Sequence, residues 1–161
     1  MKGRIQNILF VCTGNICRSP FAGALTNKLL QGSGLEGVCA NTAGLCVLPD
    51  NAATAMAARV ASEYAIDLSD HKAKMVSKEL LAWCDLVLVM EKSHKQELLE
   101  SFPEASGKTL LLRHFARCGS RTRGIADPYG LRYESYRFCF LDIHDAISGL
   151  AEYLNSEEKA F

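Results

Sequence analysis

The sequence predicts a single-domain, three-layer α/β/α fold in which helices flank a four-stranded parallel sheet. Three observations carry that expectation. Short apolar runs alternate along the chain with segments of helical spacing. Two of those runs, Ile8 to Val11 and the one within Asp85 to Met90, lack polar interruption, as strands covered on both faces do. A length of 161 residues with 48% apolar content suffices for one core.

Each element has a local reason. Pro20 suits the first turn of a helix, and Phe21 to Leu30 sets Phe21, Leu25 and Leu29 at helical spacing before the stop Gln31-Gly32-Ser33-Gly34. Val38 to Ala43 reads as the second strand. Ala52 to Tyr64, rich in alanine with Met56 and Val60 on one face, reads as a helix, and Ile66-Asp67-Leu68 opens a connector. Lys78 to Trp83 is a short helical turn, Asp85 to Met90 a central strand, Ser93 to Ser101 the fourth helix and Leu110 to Leu112 a short strand. A loop from Arg113 to Tyr129 precedes a C-terminal helix, Tyr133 to Leu154. That loop is longer than most connections in compact domains, a length usually tied to function. Ligands of open α/β sheets gather at the carboxyl ends of strands, where this loop and the segment after the first strand should both emerge.

Charge narrows the partners. Eighteen basic residues balance eighteen acidic ones, so no global field favours nucleic acid, and any anion must be bound locally. No apolar run approaches the roughly 20 residues that span a bilayer, and Met1-Lys2-Gly3-Arg4 leads straight into the first strand without room for a signal peptide. The expectation is a cytoplasmic protein with no membrane partner, monomeric by default for its size. Seven scattered cysteines, an odd number, argue for a reducing compartment rather than a disulfide framework. Cys12 and Cys17 lack a second tight Cys/His pair at zinc-like spacing, so no metal is expected. Cys39, Cys84 and Cys139 sit in apolar or amphipathic stretches, where core packing is the default.

The chemistry lies directly after the first strand, in Val11-Cys12-Thr13-Gly14-Asn15-Ile16-Cys17-Arg18-Ser19-Pro20. A loop between a strand end and a helix N-terminus can converge the backbone N–H groups of Thr13 to Ser19 on one point. The helix start adds partial positive charge, and Arg18 adds a planar fork of donors suited to phosphate. Cys12, at the bottom of that cradle, is favoured as thiolate and so as a nucleophile. Breaking a phosphoester also needs a proton for the departing oxygen. Asp127 is the candidate acid, because Pro128 fixes the backbone after it and Tyr129 offers an aromatic wall to a flat substrate ring.

This loop resembles the phosphate loop of the low-molecular-weight protein tyrosine phosphatases, V-C-x-G-N-x-C-R-S-P behind the first strand, and the match is complete. The late Asp127-Pro128-Tyr129 is similar to the family's acid motif. The resemblance runs from Ile5 to Leu154 and implies metal-independent, cofactor-free hydrolysis of phosphotyrosine in proteins through a phosphocysteine. Cys12 would be the nucleophile, Arg18 the phosphate clamp and Asp127 the general acid and base, with Thr13, Gly14, Asn15, Ile16, Cys17 and Ser19 forming the phosphate-binding loop. It also implies a polar network holding that loop taut, here Asn15, Ser19, Thr42 (a threonine in place of the usual serine) and His71. Ser19 would donate to the thiolate. Leu45 and Leu48 are expected to line the cleft opposite Tyr129, and Gly23 stands where the family usually carries glutamate. His94, His114 and His144 are read as surface or structural. Phosphorylated proteins are the implied partners, by resemblance to bacterial members including a tyrosine kinase that controls surface polysaccharide.

Rival readings stay open. Protein arginine phosphatases, a branch of the same family, carry threonine where this chain has Ile16, and the bulkier apolar side chain favours an aryl phosphate. Arsenate reductases reuse the loop but pass a disulfide through two later cysteines; Cys84 lacks a partner seven residues on, and Cys39 and Cys46 flank the wrong strand. A non-catalytic phosphate-binding module predicts loss of the nucleophile or acid, and neither is missing. Cys17, five residues from Cys12, could form with it a reversible disulfide under peroxide, or merely pack. Arg113, Arg117, Arg121 and Arg123 could dock acidic protein segments, although a solvated basic loop is the favoured reading.

Overall fold

The computed structural model describes residues 3–158, so Met1 and Lys2 of the N-terminal reading lie outside the described residues. Strand β1, Asn7–Cys12, is apolar from Ile8 onward, and its side chains alternate between two cores. Ile8, Phe10 and Cys12 enter one, Leu9 and Val11 the other. Beside β1 run β2, Cys39–Gly44, and β3, Leu86–Val89, with β4, Thr109–Leu111, at the far edge. All neighbours are parallel in the order β2-β1-β3-β4. Covered on both faces, β1 and β3 have no polar side to alternate with, which is why both read as continuous apolar runs. Register sets Cys12 opposite Gly44 and Val11 opposite Val89, so three strands end level at one rim of the sheet.

Helices α1, Arg18–Leu30, α2, Ala55–Ser62, and α5, Tyr133–Glu158, bury the larger core, where the Phe21 and Phe140 rings stack with centroids 4.0 Å apart. Helices α3, Lys78–Trp83, and α4, Lys92–Ser101, close the opposite face through Leu81 and Leu98. This is the three-layer α/β/α arrangement expected from the sequence.

The boundaries moved for identifiable reasons. Helix α1 starts at Arg18, which places Pro20 in its first turn as expected. Helix α2 is shorter than the expected 52–64: the Thr54 hydroxyl caps it by accepting from the Ala57 N–H, and Ala65, at φ 55°, turns the chain away just past the other end. Strand β2 shifts to end on Gly44, the partner of Cys12, and β4 shifts by one residue to 109–111. Two 3-10 turns, Pro103–Lys108 and Leu112–Phe115, were not expected, and the second takes the first residues of the long loop. Cys84 and Cys139 are buried as expected, but Cys39 is exposed, because it opens the edge strand β2 opposite Asn7 instead of entering a core.

Candidate active site

The rim formed by β1, β2 and β3 carries the loop 13–17. Donors outside it take the carbonyls of Thr13, Asn15 and Ile16, and that of Cys12 just before it. Leu45 N–H donates to the Cys12 carbonyl at 3.1 Å, Cys46 N–H to Thr13 at 2.9 Å, and Thr54 N–H to Ile16 at 2.9 Å. His71 Nε2 lies 2.6 Å from the Asn15 carbonyl, which can only accept, so that ring nitrogen donates. With the carbonyls bound outward, the N–H groups of Gly14 to Cys17 have no protein acceptor among the described residues. Four such groups beside the start of α1 make a concave site for an anion. Gly44 allows β2 to come this close: a Cβ there would lie 2.7 Å from the Thr13 carbonyl and 3.0 Å from the Asn15 nitrogen.

Asn15 is the hub. It is fully buried at φ 55°, a conformation asparagine tolerates better than most residues. Its Nδ2 donates to Ser19 Oγ at 2.7 Å, and its Oδ1 accepts from Lys74 N–H at 3.0 Å. Ser19 Oγ lies 3.0 Å from Cys12 Sγ and 3.4 Å from the Ala43 carbonyl. The hydroxyl has one proton and reaches both the Ala43 carbonyl, which can only accept, and the sulfur, where either atom can donate. The thiol itself is buried at the foot of the loop.

Arg18, on the first turn of α1, is buried to its guanidinium. Nη1 donates to the Ile125 carbonyl at 2.8 Å and lies 3.3 Å from Glu91 Oε2; Nη2 lies 3.4 Å from Asp127 Oδ2. Asp127 thus stands over the same guanidinium that borders the thiol loop, with its side chain 45% exposed. Its Oδ1 accepts the Tyr129 N–H at 3.1 Å, a turn that fixes the carboxylate and leaves the Tyr129 ring largely in solvent.

Sequence reasoning missed two residues at this rim. Glu91 follows β3 and caps α4 in a reciprocal box: its side chain accepts from the His94 N–H, and its own N–H donates to His94 Nδ1 at 3.2 Å. A ring nitrogen that accepts carries no proton, so Nε2 holds it and donates to Thr13 Oγ1 at 2.9 Å, with Glu91 Oε2 at 3.3 Å. Burial first, then the Arg18 charge, push the His94 pKa down and keep the ring neutral. His94 is therefore buried against the loop, which rules out the surface reading and leaves the structural one. A Glu-x-x-His pair directly after a central strand was the available signal.

Other expectations need correction. The Thr42 hydroxyl makes no hydrogen bond to the loop among the described residues. Thr42 pairs with Phe10, two residues below Cys12, and its methyl packs where a Cβ on Gly23 would stand, 2.4 Å away. Leu45 is partly buried against the smaller core, and Leu48 is exposed. Cys17 Sγ turns toward Tyr136 Oη at 3.5 Å and Thr54 Oγ1 at 3.6 Å, and burial pushes its thiol pKa up. The four loop arginines are not a free patch. Arg113 is buried, Arg121 donates to the Ala116 carbonyl, Arg117 pairs with Glu152 and Arg123 with Asp142.

Among the described residues no helix is long and apolar enough to cross a membrane. The family model for the low molecular weight phosphotyrosine protein phosphatases matches residues 7–160. A protein-arginine-phosphatase of Geobacillus stearothermophilus is 40% identical over 152 residues, covering 94% of this chain and 97% of that protein. The low molecular weight protein-tyrosine-phosphatase Wzb of Escherichia coli is 36% identical over 153 residues, covering 95% and 98%. Among solved structures, the YwlE arginine phosphatase of Geobacillus stearothermophilus superposes with a TM-score of 0.87 at 37% identity, covering 96% of each chain. A match along nearly the whole chain, on the fold and loop just described, makes this protein an enzyme of the low molecular weight phosphotyrosine protein phosphatase family.

Proposed function

We propose that the chain hydrolyses phosphotyrosine in proteins through a phosphocysteine, without metal or cofactor. The observation that carries this is the Cys12 thiol, 3.0 Å from the Ser19 hydroxyl, beneath a ring of unclaimed N–H groups with Arg18 and Asp127 at its edge. The phosphoryl oxygens take the N–H groups and the Arg18 fork, which stabilise charge developing in the transition state. The Cys12 thiolate attacks phosphorus in line, the P–O bond to the tyrosine breaks, and Asp127 gives its proton to the departing oxygen. Water then attacks the phosphocysteine, Asp127 takes back a proton, the S–P bond breaks and phosphate leaves. Arg18 holds the transferring group through both steps. Substrates are phosphorylated proteins, a tyrosine kinase among them, met by a monomer in the cytoplasm.

Ile16 supports the aryl substrate. It is half-buried on the main core and brings hydrocarbon, not a hydroxyl, to the loop. The 40% identity to a protein-arginine-phosphatase favours a second reading, phosphoarginine hydrolysis. Metal-free kcat/KM on matched phosphotyrosine and phosphoarginine peptides under reducing conditions decides between them. Preference for phosphotyrosine, abolished by Cys12→Ser, is expected; preference for phosphoarginine would transfer the assignment to the second reading. Inactivity on both would overturn both and leave arsenate or phosphate binding.

A further inference from the structure

The loop that ends in Asp127 is organised around one buried cation. All three donor-bearing nitrogens of Arg113 are committed: Nε to the Ser120 carbonyl, Nη2 to the Cys118 carbonyl and Nη1 to Asp142 Oδ1, each at 2.8 Å. The chain wraps the guanidinium closely enough that a Cβ on Gly119, itself at φ 73°, would lie 3.1 Å from Nη2. The Asp142 carboxylate, on α5, also receives both Nη atoms of Arg123 at 2.9 Å. One carboxylate thus clamps two arginines ten residues apart, closing the segment into a ring.

What leaves the ring is the catalytic segment. Gly124 packs on Met90 and Glu91 too tightly for a Cβ to fit without displacing them. Ile125 N–H donates to the Met90 carbonyl at 2.8 Å, and the Ile125 carbonyl accepts from Arg18 Nη1 at 2.8 Å. Asp127 follows two residues later. Free closure of a loop this long costs entropy that grows with its length. Here the charges of Arg113, Arg123 and Asp142 meet that cost before substrate binds.

We infer that Arg113 is a positioning residue for the general acid: through Asp142 and Arg123 it fixes the loop so that Ile125 docks on β3 and Asp127 stands over Arg18. This rests on the reading of Asp127 as the acid. The measurement is kcat/KM for phenyl phosphate, whose leaving group needs the proton, against 2,4-dinitrophenyl phosphate, whose leaving group does not, in Arg113→Gln and Arg123→Gln. Phenyl phosphate turnover is expected to fall about 10-fold in the first and about 3-fold in the second, with changes under about 2-fold for the dinitrophenyl ester. Arg123 is half-exposed, so its variant carries the test if loss of the buried cation prevents folding. In an Asp127→Asn background the Arg123 change should have no further effect on phenyl phosphate. Equal losses on both esters, or an undiminished loss in that background, would overturn the inference. A wild-type ratio of the two esters in Asp127→Asn alone would instead overturn the acid assignment, and the tether with it.

Discussion

Two loops carry the proposed chemistry, and they are held in opposite ways. The thiol loop, residues 12–19, is short, more buried than exposed, and bonded to the segments that follow β2 and to the start of α2. The acid loop, residues 116–132, lies largely in solvent and is fixed by side chains from other elements, chiefly Arg113, Asp142 and Arg18. The first is rigid because the sheet rim makes it so; the second is rigid only while its ionic contacts persist. Damage to the first should therefore affect every substrate alike, whereas damage to the second should depend on how much the leaving group needs a proton.

Asn15→Ala probes the first loop at its hub. It removes the bonds to Ser19 and to the Lys74 N–H and leaves alanine at a positive φ. Turnover should fall by about 10²-fold or more for good and poor leaving groups equally, the scale of losing one preorganised oxyanion donor. Asn15→Gly separates the causes, since it relieves the backbone but not the lost bonds: recovery of Tm without recovery of kcat is expected. If kcat returned with glycine, backbone strain rather than the hydrogen bonds would be the loop's requirement.

Asp127→Asn probes the second loop and should lower kcat/KM for phenyl phosphate by about 10²-fold while sparing esters of acidic phenols. Among the described residues its exposed carboxylate makes one turn contact and one ion pair, so Tm should barely move. A uniform loss across leaving groups would erase the distinction between the two loops.

That distinction also explains what the sequence made legible. The thiol loop is contiguous, so ten neighbouring residues state its chemistry, and the unbroken apolar runs before it and at β3 state the sheet. His71 was named because its connector resembles that of the family, and its Nε2 reaches the Asn15 carbonyl. Glu91, His94 and Arg113 were not, because each also contacts a partner far away in sequence, Arg18, Thr13 and Asp142 respectively, which comes near only when β3 is set beside β1 and α5 is laid over the loop. Thr42 was misjudged for the converse reason: its hydroxyl suggested a role that strand alternation denies, since it faces α1 rather than the rim. The arginine-rich loop read as solvated, and Arg117, Arg121 and Arg123 are exposed; only Arg113 is buried, its partners being two backbone carbonyls and the distant Asp142.

Protonation tests the thiol loop more gently. Burial, the largest influence, holds the His71 pKa below its ordinary value of 6.5, with a smaller contribution from Lys74. Because the folded state binds its proton less readily than the unfolded one, His71 contributes stability that is complete above about pH 6.5. That contribution is lost progressively as pH falls toward the folded pKa. Denaturant unfolding from pH 7 down to about pH 5 should show wild type losing stability more steeply than His71→Gln, which can still donate to the Asn15 carbonyl but does not titrate. Parallel slopes would remove His71 as the sensor.

The smallest effect lies behind the thiol loop, where Gly23 on α1 meets Thr42 on β2. A helix interior ordinarily gains about 1 kcal/mol when glycine becomes alanine. Here the new Cβ would stand 2.4 Å from the Thr42 methyl, so Gly23→Ala forces the threonine to rotate or the helix to lift. Overpacking of that kind costs about 1–3 kcal/mol, enough to cancel or reverse the helical gain. Thr42→Ser deletes the obstructing methyl and keeps the hydroxyl. The double variant should therefore be more stable than Gly23→Ala alone by about 1 kcal/mol beyond the sum of the single effects, measured as a thermodynamic cycle. Because α1 begins at Arg18, any lift of the helix should also lower kcat on all substrates, and Thr42→Ser should restore it. A stable Gly23→Ala with unchanged kcat would mean that Thr42 rotates freely, and that the seat of the thiol loop tolerates more than its packing suggests.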